Sequence, residues 1–169
     1  MRNVSILLFL TVSILLVGCG KDEPISEAQQ KTNELRSKYA DKVVGSWWVE
    51  QKTEKSQLFE QLELSADGNL SGYVKWCRRS KVMVDGQEVW TDWETLDDGN
   101  ISGKWMLVWN EDMWEPCMHL QAIVNNDPTY YWYMGRYHFI GVDETTLDLA
   151  TGYKSPDVKY QRGKSSPSF

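Results

Sequence analysis

From Gly45 onward, apolar and polar residues alternate in short runs: Leu62 and Leu64, then Leu70, Val74 and Trp76, then Trp105, Leu107 and Trp109. A period of two is the signature of β-strands with one buried face. Asp67-Gly68, Asp85-Gly86 and Asp98-Gly99 fall between such runs, and Asp-Gly suits the positive backbone angles of tight hairpins. Further breaks at Asn125 to Pro128, Asp143-Glu144 and Ser155-Pro156-Asp157 give about eight to ten strands. The segments between them are too short for crossover helices, so neighbouring strands run antiparallel. Such strands must hide their edges, either in a closed barrel or in a Greek-key sandwich, and sequential hairpins favour the up-and-down barrel.

Before this region the period changes. Ser26 followed by Glu27, then Leu35, Tyr39 and Val43 at helical spacing, predicts one N-terminal helix over residues 27–43. Glu34 and Lys38 add an i,i+4 pair in the favourable order. Its expected place is at the end of the β-structure, as a plug or flank. The division is therefore a leader over 1–18, a charged tether over 19–26, the helix, a barrel over 44–163 and a Ser-rich tail over 164–169 expected to fray.

Nine Trp, eight Tyr and four Phe in 169 residues supply ample bulk for a core. With 18 basic against 24 acidic side chains and no basic block, nothing would release counterions from a phosphate backbone, which argues against a nucleic-acid partner. Arg2 followed by the apolar run Val4 to Val17 reads as a signal peptide, too short to span a bilayer comfortably.

The leader ends in Leu16-Val17-Gly18-Cys19, which resembles the lipobox of bacterial lipoproteins. The resemblance implies cleavage before Cys19 and acylation of its sulfur, with chains such as palmitate holding the protein on a membrane. The following Lys21-Asp22-Glu23 resembles the export signal of surface lipoproteins of the Bacteroidetes, which implies outer-membrane anchoring and cell-surface display. The same charges read equally as a solvated tether.

Gly45-Ser46-Trp47 just before the first strand resembles the entry motif of the lipocalins, the calycin barrels, and of lipocalin-like bacterial lipoproteins. Leu62 to Gly68 as a second-strand hairpin, Phe139 to Leu149 as a penultimate hairpin and Tyr160-Gln161-Arg162 as a last strand extend the likeness over residues 43–162. The resemblance implies an all-β, antiparallel, lipocalin-like barrel closed at one end by Gly45 and Trp47, with Arg162 lying over the indole. A guanidinium there is attracted to the ring face and caps its apolar bulk. The short length and an extra hairpin, Lys81 to Trp90, depart from the better-known members, so no ligand transfers.

Read through that pattern, Tyr131, Tyr133, Tyr137 and Phe139 face inward together with Trp105, Leu107 and Trp109. Either these rings fill the barrel or they line a pocket for a small hydrophobic or weakly amphipathic molecule. For the second reading, Trp105, Trp109, Tyr131 and Tyr133 are the candidate ligand-binding residues, at the end away from Trp47. Cys77 and Cys117 form a candidate disulfide pair or stay as two buried thiols. His119 and His138 lack companions at metal-ligand spacing, so no metal or other cofactor is expected. With no nucleophile, phosphate-loop or dinucleotide motif, a binding protein is expected rather than an enzyme. Two rivals stand beside it: a carbohydrate-binding module stacking sugars on Trp90, Trp93 and Trp114, and a protein-interaction or inhibitor module with an exposed aromatic surface and no cavity.

Overall fold

The computed structural model describes residues 25–150 and 157–169. Cys19, the leader and all but the last two residues of the tether lie outside the described residues. Helix α1, Glu27–Val43, begins at Ser26, whose hydroxyl accepts from the Gln29 amide and so satisfies one free donor of the first turn. Ala28, Thr32 and Leu35, buried at helical spacing, form its inner face. Tyr39 continues that face and meets the edge of Phe139 with ring centroids 5.2 Å apart.

Among the described residues ten strands follow: β1 Gly45–Lys52, β2 Ser56–Leu64, β3 Asn69–Arg78, β4 Lys81–Val84, β5 Gln87–Trp90, β6 Glu94–Asn110, β7 Glu115–Val124, β8 Tyr131–Val142, β9 Thr146–Ala150 and β10 Asp157–Arg162. Eight of them close an antiparallel barrel in the order β1-β10-β9-β8-β7-β6-β3-β2, so each strand pairs with its neighbour in sequence. This is the lipocalin-like up-and-down architecture. The remaining two, β4 and β5, pair only with each other and project between β3 and β6. The closing seam is short, since β1 and β10 meet at two residue pairs, Trp47 with Arg162 and Trp48 with Gln161.

Asp98-Gly99 is not a turn. It lies inside β6, where Gly99 pairs with Val74, and a Cβ there would collide with the Asn125 side chain. Asn125 instead accepts from the Asn100 amide, so the glycine makes room for a clamp across the sheet.

The tail does not fray either. Gly163 to Phe169 returns over the outer face of β1, β2 and β3: the Ser165 amide donates to Gln61, the Ser168 amide and hydroxyl donate to Glu50, and Lys75 donates to the Phe169 carbonyl. Lys52 and Lys75 lie 5.3 and 5.2 Å from the Phe169 ring centroid. On that same outer face Phe59, paired with Glu50 and Lys75 and with the Tyr73 ring 6.3 Å away, is only 1% exposed. A lone Phe among Gly, Lys, Ser and Pro gives composition nothing to read as packed structure. The strap docks through hydrogen bonds and that one ring.

Candidate functional site

One end of the barrel is shut. Trp47 is fully buried and donates from its indole nitrogen to the Val43 carbonyl at 2.7 Å, tying the first strand to the end of α1. The Arg162 guanidinium lies 4.2 Å from the Trp47 ring centroid and donates to the carbonyls of Lys42 and Val44. Gly45 has φ +139°, and a Cβ on it would stand 2.9 Å from Arg162. The three residues that the sequence marks for closure thus form one cluster.

Trp105 and Trp109 belong to this same shut end. Trp105 donates to the Ser65 carbonyl, and the Trp109 amide donates to Thr32 on α1. Trp109 packs edge-on to Trp114 under Lys31. Tyr131 is 43% exposed. A bulge in β8 is responsible: Ala122 pairs with Tyr133 but Ile123 pairs with Tyr131, so Trp132 is the extra residue and the alternation of faces flips there. Of the four candidate ligand residues, Tyr133 alone reaches the open-end cavity.

That cavity, about 300 Å³, is lined by Gln51, Leu58, Glu60, Leu120, Trp132, Tyr133, Tyr137, Leu149, Val158 and Tyr160. Its size falls at the lower end of small-molecule pockets, about 300–1,000 Å³. Glu60 is the residue that sequence reasoning missed. It stands on β2 in phase with Leu58, Leu62 and Leu64, and that parity alone points it inward.

The carboxyl of Glu60 is buried and held by two donors: Trp132 Nε1 to Oε1 at 2.6 Å and the Tyr160 hydroxyl to Oε2 at 2.6 Å. The Tyr133 hydroxyl lies 3.0 Å from that of Tyr160, extending the chain. Among the described residues no cation forms an ion pair with Glu60. Burial raises its proton affinity above the usual carboxylate range, against the opposing pull of the neighbouring Tyr160, Tyr133 and Trp132. Burial, followed by the nearby Glu60 charge, keeps the hydroxyls of Tyr133 and Tyr160 well above the ordinary phenol range. The rings form a connected set, with Trp132 edge-on to Tyr133 at 6.3 Å and Tyr133 edge-on to Tyr137 at 5.7 Å.

The other candidates lie apart from the cavity. Cys77 and Cys117 are separate buried thiols. They flank β6 near opposite ends, where Cys77 pairs with Thr95 and Cys117 with Val108. Those partners are 108 − 95 = 13 positions apart on one strand, on the order of 40 Å at the usual rise, so no disulfide can join them. His119 and His138 sit on the outer face of β7 and β8, His138 Nδ1 being 2.8 Å from Glu115. No group of three potential metal ligands occurs among the described residues. Arg79 is held between Trp90 and Trp93, 4.7 and 4.6 Å from their centroids, and Lys31 lies over Trp114, so these indoles already have cationic partners.

No family model, curated protein sequence or solved structure matches this chain.

Proposed function

We propose that the protein is a binding protein that holds one small molecule, with an apolar body and a polar head, in the open end of its barrel. The observation that carries this reading is the cavity itself: apolar and aromatic side chains surround a few convergent polar groups on rigid strands, the arrangement small-molecule sites share. The lipobox-like Leu16 to Cys19 supports a lipid anchor and an outer-membrane address for the barrel, with residues 20–26 as its tether. Replacing Cys19 by Ser and fractionating the cells tests that part; a variant still processed after Gly18 and still membrane-bound sinks it.

Titration with fatty acids, sterols, quinones, porphyrins and small aromatic alcohols, followed by tryptophan fluorescence, tests the cavity. Trp132 lines it and should report occupancy. Val158→Trp should fill the space and abolish a saturable change seen with the native sequence. No saturable response to any compound would remove the reading.

A protein-interaction module is the second reading, favoured by the β4–β5 hairpin, where Val82, Met83, Val84 and Val89 remain exposed. A partner captured by the native protein but not by one lacking residues 81–90 would select it.

A further inference from the structure

The cavity has a chemical asymmetry. Its lining offers a carboxyl, Glu60, and four rings, Trp132, Tyr133, Tyr137 and Tyr160, while no Lys, Arg or His among the described residues contributes to it. An anionic ligand would meet ring faces of negative potential and a carboxyl, with nothing to balance its charge. A neutral ligand would leave Glu60 as it is. A cation supplies the one charge the site lacks, and both the ring faces and the carboxylate attract it.

We propose that the open-end cavity takes an organic amine in its cationic form, with the ammonium group against Glu60 and the surrounding aromatic rings. This rests on the reading of the cavity as a binding site. Glu60 is already oriented for the task, because Trp132 and Tyr160 each donate to a different carboxylate oxygen. An ionised carboxylate has about four acceptor positions, so two remain for the N–H groups of an ammonium.

In the empty cavity burial favours the protonated carboxyl. Where Glu60 carries its proton, entry of R–NH3+ displaces that proton to the buffer, and the complex holds a carboxylate beside an ammonium. The groups facing Glu60 from the other strands are Tyr133 and Tyr137 on β8 and Tyr160 on β10, all held protonated above the ordinary phenol range. The remaining lining residues among those described do not titrate: Gln51 on β1, Leu58 beside Glu60 on β2, Leu120 on β7, Trp132 on β8, Leu149 on β9 and Val158 on β10. Amine affinity should therefore rise with pH as Glu60 ionises more readily, with up to one proton released per ligand at acid pH.

Calorimetric titration with phenethylammonium chloride, 2-phenylethanol and 3-phenylpropanoate separates the charge types on one ring framework. At pH 8 the ammonium should bind about tenfold or more tightly than the alcohol, and the carboxylate most weakly. The preference should shrink toward pH 5.5, and buffers of different ionisation enthalpy should report the released proton. Glu60→Gln, which keeps the side-chain shape, should erase the preference of the site for the ammonium over the alcohol. Alcohol binding equal to or tighter than ammonium binding in the native protein overturns the inference but leaves the cavity as a site. So does a preference that survives in Glu60→Gln. Failure of all three compounds overturns both. The order of the three probes is read on the native sequence, so it stands whether or not the variant folds.

Discussion

Arg162 holds Trp47 from above at 4.2 Å while its own nitrogens reach two carbonyls at the end of α1, so one guanidinium fastens the last strand, the first strand and the helix together. Trp47→Ala removes a fully buried indole and should cost about 3 to 5 kcal/mol. Arg162→Ala should cost less, about 1 to 2 kcal/mol, through the stacking and the carbonyl bonds. Thermal unfolding of both variants checks the order; equal and negligible losses would show that the shut end contributes no stability.

Removal of residues 164–169 should uncover Phe59. The Tyr73 ring still flanks Phe59, so the loss should be a part of a buried aromatic's transfer energy, about 1 to 2 kcal/mol, and the shortened protein should melt roughly 2 to 8 °C lower. Phe59→Ser should be destabilising in the full chain and nearly harmless once the strap is gone, a non-additivity that a double-mutant cycle measures. Additive losses would mean that the strap does not cover the ring.

Cys77 and Cys117 should both titrate as thiols after denaturation, even in protein kept under oxidising conditions. Adding reductant should leave the melting temperature unchanged. A mass two hydrogens lower, restored by reduction, would contradict the placement of the two residues on either side of β6.

Glu60 binds a proton more tightly in the folded barrel than in the unfolded chain. Between the unfolded and folded proton affinities the native state therefore holds more protons, and stability falls as pH rises through that window. Glu60→Gln should remove this slope: little difference from the native sequence near pH 4, and a higher melting temperature at pH 8 at about 2 to 4 °C for each kcal/mol recovered. Parallel melting-temperature profiles from pH 4 to 9 would show that the carboxyl is solvated.

Much of the architecture is legible in the amino-acid sequence. The Ser26 cap and the spacing of Leu35, Tyr39 and Val43 mark α1 because they depend on local chemistry, and the closure by Gly45, Trp47 and Arg162 is legible through the resemblance of Gly45-Ser46-Trp47 to the lipocalin entry motif. The cavity is harder to read because it depends on strand direction and parity. Taking Asp98-Gly99 for a turn reverses the segment after it, and that error carries Trp105 and Trp109 to the wrong end. The β8 bulge turns Tyr131 outward and swings Trp132 to the cavity, and no period-two count through Tyr131 and Tyr133 can register an inserted residue. Glu60 is visible in principle, as the charged residue in the inward series Leu58, Glu60, Leu62, Leu64.

The seam between β1 and β10 gives the barrel an uneven resistance to opening. Beyond Trp48 and Gln161 the two strands share no ladder pairs among the described residues, and the unzipped stretch includes Gln51 and Val158, which both line the cavity. Breathing costs least where fewest backbone bonds must break, so the wall should part beside the binding space while the Trp47 end stays clenched. Amide exchange should accordingly be fastest at the cavity end of this seam and slowest around Trp47. A guest could then slip in sideways, between two strands, as well as through the mouth.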